Sequence, residues 1–220
     1  KSMGVFMEYK EVLHLRGTQR VGIMGGTFDP IHMGHLVTAE AARSKFNLNK
    51  VVFVPSGQPP HKKGKVITDK EHRYLMTVLA TAANPYFEVS RTEIDRPGES
   101  YAIDTVRYIR SKMNPDSELY FITGADAIIE IVTWKDMEEL FANCIFIAAT
   151  RPGYNLEEMN KQLLKKLSPE NLAKIIPLEV PAMAISSTDI RRRVKEERTI
   201  KYLLPESVEN FIKKNDLYKN

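Results

Sequence analysis

The sequence predicts an α/β fold: a doubly wound, Rossmann-like, mostly parallel sheet with helices on both faces. Short apolar or β-branched runs alternate along the chain with longer segments of helical periodicity. The first run breaks at Gly25 and Gly26 and is followed by a helix. Turn and polar residues follow several of the other runs directly, where ligands of open α/β sheets bind.

Six runs are predicted to be strands because they are apolar and too short for helices. They cover residues 21–24, 50–55, 87–91, 119–123, 143–149 and 175–180. Residues 20–220 are expected to form a single domain, and residues 1–19 an N-terminal extension to which we assign no function.

The predicted helices fall between and after these strands. They begin near Gly34, after Tyr101 and at the hydroxyl-rich segment 185–188, and they cover residues 127–132, 156–167 and 205–215. Another is expected to start at a capping box formed by Thr68 and Glu71 and to run to about residue 83. Its inward face is predicted to carry Tyr74, Leu75, Val78, Leu79 and Ala82, while Arg73 is expected to be structural or to reach into a cleft.

Composition excludes several classes of protein. Of 220 residues, 43% are hydrophobic and 27% charged, as in ordinary globular proteins. We expect a cytoplasmic protein without a membrane span, because no apolar run approaches the ~20 residues that a membrane helix needs. The net charge is +4, but no basic stripe alternates with aromatic residues, so a small polyanionic substrate is expected rather than nucleic acid. The single cysteine, Cys144, is expected to be buried rather than nucleophilic.

The first loop has the features of an anion site. Gly25 and Gly26 are expected to adopt conformations that other residues avoid and to bring backbone N–H groups close to a ligand. His32 and His35 then fall at the start of the first helix, where unpaired N–H donors and the helix dipole favour negative charge. A polyphosphate fits this combination.

The same segment argues against a dinucleotide-binding dehydrogenase. Such enzymes carry Gly-x-Gly-x-x-Gly and an acidic residue near the end of the second strand. Here the glycines are adjacent, and the second strand ends in Pro55-Ser56-Gly57.

Residues 25–35, GGTFDPIHMGH, resemble the signature of the nucleotidyltransferases that share a His-x-Gly-His motif, and most closely that of the nicotinate-nucleotide adenylyltransferases. Other stretches fit this family in order along the chain: Pro59-Pro60-His61-Lys62, Gly98 with Ser100-Tyr101, Asp104-Thr105, Gly124-Ala125-Asp126, Thr133-Trp134 and residues 185–191. The resemblance covers residue 20 to the end of the chain.

The resemblance implies transfer of the adenylyl group of ATP to nicotinate mononucleotide, giving deamido-NAD and pyrophosphate, with Mg²⁺ held mainly by the ATP phosphates. It implies catalytic roles for His32, His35 and Arg191. These three would also bind ATP, together with Gly25, Gly26, Thr27, Phe28, Lys62, Ser187 and Thr188. The hydroxyls at 186–188 could merely cap a helix, but the resemblance favours an anion clamp. No metal ligands are expected from the protein.

The acceptor pocket implied by the resemblance contains Tyr101, Ala102, Thr105, Asp126 and Trp134. Relatives commonly have threonine where this chain has Ala102, so the contact there is expected to be a backbone N–H. Asp126 could accept from a ribose hydroxyl or cap a helix. Trp134 could stack on a pyridine ring or pack in the core.

Other functions are weighed against this one. No serine or cysteine nucleophile motif and no zinc-ligand spacing occur, which favours direct transfer. A pantetheine-phosphate adenylyltransferase or a cytidylyltransferase is the nearest rival. A class I aminoacyl-tRNA synthetase would also carry a Lys-Met-Ser-Lys-Ser motif, which this sequence lacks. A non-catalytic nucleotide-sensing or RNA-binding module would not need both phosphate elements. A homo-oligomer is compatible with the sequence.

Overall fold

The computed structural model describes residues 20–59, 66–181 and 184–219, together with residues 13, 15, 17 and 64. Its sheet has six strands, all parallel, in the order β3-β2-β1-β4-β5-β6. The strands are β1 (Arg20–Gly26), β2 (Lys50–Pro55), β3 (Phe87–Val89), β4 (Glu118–Gly124), β5 (Ile145–Thr150) and β6 (Ile175–Glu179). The winding reverses between β1 and β4, and such a switch point is where open α/β sheets bind ligands.

Ten helices of the described ranges lie between and after these strands. They are α1 (Met33–Phe46), α2 (Lys70–Thr81), α3 (Thr92–Asp95), α4 (Ala102–Arg110), α5 (Ala125–Ile129), α6 (Met137–Asn143), α7 (Leu156–Leu164), α8 (Pro169–Ala173), α9 (Ser187–Lys195) and α10 (Glu206–Lys214). A 3₁₀ turn, Ile131–Thr133, follows α5.

The core lies in two layers, one on each face of the sheet. Neighbouring strand residues point to opposite faces, so Phe121 packs in one layer and Ile122 in the other. Helices α4, α6 and α7 cover the first face, and α1, α9 and α10 cover the second. Because both faces are buried, the strands read as continuous apolar runs. The predicted fold class is confirmed.

The expected start of α2 is wrong. Its N-cap is Asp69, whose carboxylate accepts the backbone N–H of Glu71 at 2.9 Å, rather than Thr68. Because Asp69 caps the helix, the expected capping box between Thr68 and Glu71 does not form its start.

The expected inward face of α2 is also wrong at three positions. Leu75 is 42% exposed and Leu79 38%, and Ala82 is exposed as well. The buried positions are Arg73, Met76, Thr77 and Thr81. The apolar periodicity misleads because this buried face carries a guanidinium and two hydroxyls that donate to carbonyls one turn earlier.

Three short helices, α3, α6 and α8, are absent from the sequence prediction. Each has seven residues or fewer, too few for a helical period to show. The helix expected at 127–132 is divided between α5 and the 3₁₀ turn, and α7 ends at Leu164 rather than at residue 167.

Leu15, within the segment expected to be an extension, is fully buried in the first core layer. Cys144 is buried as expected, and burial raises the pKa of its thiol to about 12, so the thiol is not a ready nucleophile. None of the helices in the described ranges is long and apolar enough to cross a membrane.

Candidate active site

A cavity of about 420 Å³ opens at the carboxyl ends of β1, β2 and β4, beside the switch point. Its walls come from the end of β1, the loop after β2, helix α3, the start of α4, and β4 with the segment that follows it. The lining residues are Gly25, Gly26, Thr27, Ser56, Pro59, Glu93, Ser100, Tyr101, Ala102, Phe121, Thr123, Ala127, Glu130, Thr133, Trp134 and Lys135.

His32 and His35 form a stacked pair at the start of α1. His32 is the N-cap residue, and the two ring centres are 3.8 Å apart with an angle of 26° between the planes. The backbone N–H of His32 donates to Nδ1 of His35 at 3.2 Å. Neutral His35 therefore carries its proton on Nε2, where it can donate to a ligand.

Both histidines are neutral at pH 7. Burial lowers the pKa of His32 from 6.5 to about 4. Burial, and then repulsion by His32, lowers the pKa of His35 to about 3. Among the described atoms, Nδ1 of His32 is buried without a hydrogen-bond partner. The pair thus supplies hydrogen-bond donors, and positive charge must come from elsewhere.

The two glycines at the end of β1 do not adopt the special conformations that the sequence suggests. Gly25 and Gly26 remain in the strand, paired with Val54 and Pro55, and neither has a positive φ. Gly26 is needed for space, because a Cβ there would lie 2.8 Å from Cε1 of Phe28.

Phe28 is the residue in the left-handed region, with φ of 48°. Its ring is 2% exposed and meets the ring of His35 edge to face at 5.1 Å. The glycine therefore makes room for an aromatic ring that supports a histidine.

The start of α9 has a conventional cap. Ser186 accepts the backbone N–H of Asp189 at 3.1 Å. Arg192 and Arg193 both pair with the Asp189 carboxylate, at 2.5 Å and 2.7 Å, on the helix surface. Of the hydroxyls at 186–188, Ser186 is therefore the one that caps α9.

The other residues of this segment join α9 to the loop before α1. Ser187 Oγ donates to the carbonyl of Pro30 at 2.9 Å, and Arg191 Nη1 donates to the carbonyl of Asp29 at 2.7 Å. Arg191 also donates to Thr188 Oγ1 at 3.3 Å. The two phosphate elements predicted from the sequence are therefore adjacent, and the Ser187 hydroxyl is already engaged by the protein.

The predicted acceptor residues fall into two groups. Tyr101, Ala102 and Trp134 line the cavity, and Trp134 is half-buried with its ring edge to face with Phe121 at 5.6 Å. Ala102 is the first residue of α4, whose first N–H groups have no partner within the helix.

Thr105 and Asp126 lie away from the cavity surface. Thr105 is buried, and its hydroxyl donates to Glu93 at 2.5 Å. Asp126 is exposed and accepts from the hydroxyl of Tyr154 at 3.4 Å. His61 and Lys62 lie outside the described residues.

A buried polar cluster in the cavity wall contains Ser100, which belongs to one of the family motifs, and Glu93, whose burial sequence reasoning did not predict. Glu93 is 6% exposed, and burial raises the pKa of its carboxyl. Ser100 Oγ accepts the backbone N–H groups of Gly57 and Gln58 at 3.1 Å and 3.2 Å. A Cβ at Gly57 would lie 2.1 Å from the Glu93 carbonyl oxygen, so only glycine fits there. Glu93 stands in a charge-rich segment that carries no signal of burial.

Arg73 is structural, the first of the two roles left open by the sequence. It is 1% exposed, and its guanidinium donates to the carbonyls of Thr27 at 2.7 Å, Thr68 at 2.9 Å and Gly57 at 3.2 Å. It joins the loop after β1 to the loop after β2, and both loops contribute residues to the cavity wall.

Comparison with known proteins gives the family. The family model described as cytidylyltransferase-like matches residues 23–193. A protein of Moorella thermoacetica named "Probable nicotinate-nucleotide adenylyltransferase" is 62% identical over 200 residues, which is 91% of this chain and 92% of that protein. The chain belongs to the nicotinate-nucleotide adenylyltransferase family. A relative of the same name from a Thermoanaerobacter species is 58% identical over 91% of this chain and 94% of its own.

Solved structures confirm the fold of the chain. The Plasmodium falciparum nicotinic acid mononucleotide adenylyltransferase complexed with NaAD has a TM-score of 0.71 at 20% identity, covering 91% of this chain and 97% of that one. The same protein complexed with APC gives a TM-score of 0.69. The family and enzyme class predicted from the sequence are confirmed.

The histidine pair predicts a pH dependence of stability. Below pH 6.5 the unfolded chain binds protons that folded His32 and His35, with pKa values of about 4 and 3, do not. The free energy of unfolding should therefore fall as the pH drops from 6.5 towards 4, by at most about 1.4 kcal/mol per pH unit for each histidine. Urea unfolding of wild type and His32→Gln between pH 7.5 and 4.5 measures this.

The His32→Gln variant should show a shallower pH dependence than the wild type. His72→Gln, which changes a histidine packed on Phe211 outside the pair, should follow the wild type. Parallel curves for wild type and His32→Gln would contradict the assignment.

Proposed function

We propose that this chain transfers the adenylyl group of ATP to nicotinate mononucleotide, producing deamido-NAD and pyrophosphate in NAD biosynthesis. The observation that carries the proposal is the 62% identity, over nine-tenths of both chains, to a relative named for this reaction. The cavity at the switch point, with the histidine pair at one end of the same sheet edge and Trp134 in its wall, supports it.

In this proposal the ATP phosphates lie between the starts of α1 and α9. Both helix starts present unpaired N–H groups and partial positive charge. The two are held together by the bonds from Ser187 to Pro30 and from Arg191 to Asp29. Gly25, Gly26 and Thr27 would lie alongside the nucleotide. Arg191 would supply a full positive charge.

The reaction is a direct displacement at phosphorus. An oxygen of the acceptor's 5′-phosphate attacks the α-phosphorus of ATP and forms a new oxygen–phosphorus bond. The bond from that phosphorus to the bridging oxygen breaks, and pyrophosphate leaves with the electron pair. The protein contributes position and stabilises developing charge through His35 Nε2–H, His32 and Arg191.

We propose that Mg²⁺ enters as part of the substrate, coordinated mainly by the ATP phosphates and water. Within the described ranges, no three histidine, cysteine, aspartate or glutamate side chains lie together in a way that could hold a metal ion.

The acceptor would occupy the cavity beside Trp134. A volume of about 420 Å³ is within the range of small-molecule pockets. The indole would stack on the pyridine ring, and the first N–H groups of α4 at Ala102 would face its carboxylate. Lys135, whose ammonium lies 4.7 Å from the ring centre of Tyr101, adds a positive charge at this wall.

The acceptor is tested by measuring pyrophosphate release. The protein, ATP and Mg²⁺ are incubated with nicotinate mononucleotide, nicotinamide mononucleotide or 4′-phosphopantetheine, and with no acceptor as the control. Release should be fast with the first, much slower with the second and at background with the third. Release with phosphopantetheine alone would contradict the proposed acceptor but not the chemistry on ATP.

His35→Ala should lower kcat by roughly 10²–10³-fold, because a donor aimed at developing phosphate charge is worth about that much. The KM for ATP should change much less. Steady-state kinetics on the folded variant measure both, with His72→Ala as the matched control. Turnover within a few-fold of wild type would remove His35 from the chemical step.

Trp134→Ala should raise the KM for nicotinate mononucleotide by roughly 5–100-fold, since stacking of a base on an aromatic ring contributes about 1–3 kcal/mol. The KM for ATP should be unchanged, and Trp134→Phe should recover part of the loss. If thermal stability falls while the KM for the acceptor stays constant, the ring serves the core instead.

A further inference from the structure

Asp29, in the loop between β1 and α1, has a buried carboxylate that is held by two distant segments. The residue is only 4% exposed. The hydroxyl of Tyr218, which follows α10, donates to Asp29 Oδ1 at 2.8 Å, and the backbone N–H of Thr68 donates to Oδ2 at 3.3 Å. Each carboxylate oxygen therefore accepts from one neutral donor, and the buried guanidinium of Arg73 is close enough for the two charges to attract each other.

We propose that Tyr218 is a positioning residue for ATP binding, because its hydroxyl holds the Asp29 carboxylate in place beside the loop that carries His32. The proposal rests on the function proposed above. It adds a residue outside the sequence motifs to the machinery that shapes the phosphate site.

The backbone around Asp29 is where the two phosphate elements meet. The carbonyl of Asp29 accepts from Arg191, and the carbonyl of the next residue, Pro30, accepts from Ser187. Asp29 is three residues before His32, the N-cap of α1. A displacement of Asp29 would therefore also move the carbonyl groups that accept from Arg191 and Ser187, together with the start of α1.

The charge of Asp29 makes its position matter to ATP. A carboxylate close to a polyphosphate site repels the ligand unless it is held away or neutralised. A buried charge also requires hydrogen-bond donors to remain buried. Removing the Tyr218 hydroxyl leaves Oδ1 without that donor, so the carboxylate is held only by the Thr68 N–H and by the charge of Arg73 and can turn towards the phosphates.

Tyr218 is suited to this role by its own surroundings. Its ring is half-buried against the second core layer, and its backbone has φ of 66°. Burial, and then the neighbouring charge of Asp29, raise the pKa of Tyr218, so the hydroxyl remains a donor throughout the neutral range.

The test uses Tyr218→Phe, which keeps the ring and removes only the hydroxyl. The matched control is Tyr202→Phe, at a tyrosine that also has φ of 66° but is 82% exposed. In Tyr218→Phe, ATP affinity measured by titration calorimetry without acceptor should fall about tenfold or more, the usual effect of losing a hydrogen bond to a charged group. The KM for nicotinate mononucleotide should stay within about twofold, and Tyr202→Phe should match the wild type.

A second background separates positioning from general support of the fold. In an Asp29→Asn protein no charge can be released towards the phosphates, so adding Tyr218→Phe should weaken ATP binding only about twofold or less. An equal loss of ATP affinity in both backgrounds, or equal losses for ATP and acceptor, would overturn the proposal.

The outcomes also distinguish this inference from the proposed function. Equal ATP binding by wild type and Tyr218→Phe overturns the role of Tyr218, whichever acceptor is used. Normal ATP binding by the wild type without pyrophosphate release from nicotinate mononucleotide overturns the function alone. A wild type that does not bind ATP overturns both.

Discussion

A guanidinium taken out of water must have its N–H groups satisfied, and in this protein the acceptors of Arg73 are three backbone carbonyls. Those of Thr27, Gly57 and Thr68 belong to loops that have no regular hydrogen-bonding pattern of their own. The buried guanidinium thus satisfies backbone carbonyls of the loops, as hydrogen bonds between neighbouring strands satisfy those of the sheet. Two of these loops contribute Thr27, Ser56 and Pro59 to the cavity wall, so the hydrogen bonds of Arg73 help to fix its shape.

The electrostatics of the site follow from the same burial. Withdrawing His32 and His35 from water keeps them uncharged, so the pair contributes oriented donors without mutual repulsion. In the proposed function, charge is supplied instead by Arg191 and by the helix starts. Donors held in place before the substrate arrives need little reorganisation when charge shifts among the phosphates, which is the condition for electrostatic catalysis without a covalent intermediate.

The sequence predicts the sheet well because burial on both faces turns the four central strands into apolar runs, and for β2 (Lys50–Pro55) the predicted and observed bounds agree at both ends. Motif spacing likewise points to the histidines and to Trp134. The same reasoning cannot find Arg73 or Tyr218, because each depends on a contact between segments far apart in the chain. The buried face of a helix is predicted from its apolar residues. Because the charged Arg73 is buried in α2, the predicted inward face of that helix is wrong.

The loop from Thr27 to His32 accepts hydrogen bonds from Arg73, Arg191 and Tyr218. These donors lie 46, 162 and 189 positions further along the chain than the residues that accept from them. Contacts of such high sequence separation form only after much of the chain has lost its freedom, since closing each loop has an entropic cost. The site is therefore complete only when these distant segments are in place. A partly folded chain with an intact β1 and α1 would have the motif without the site.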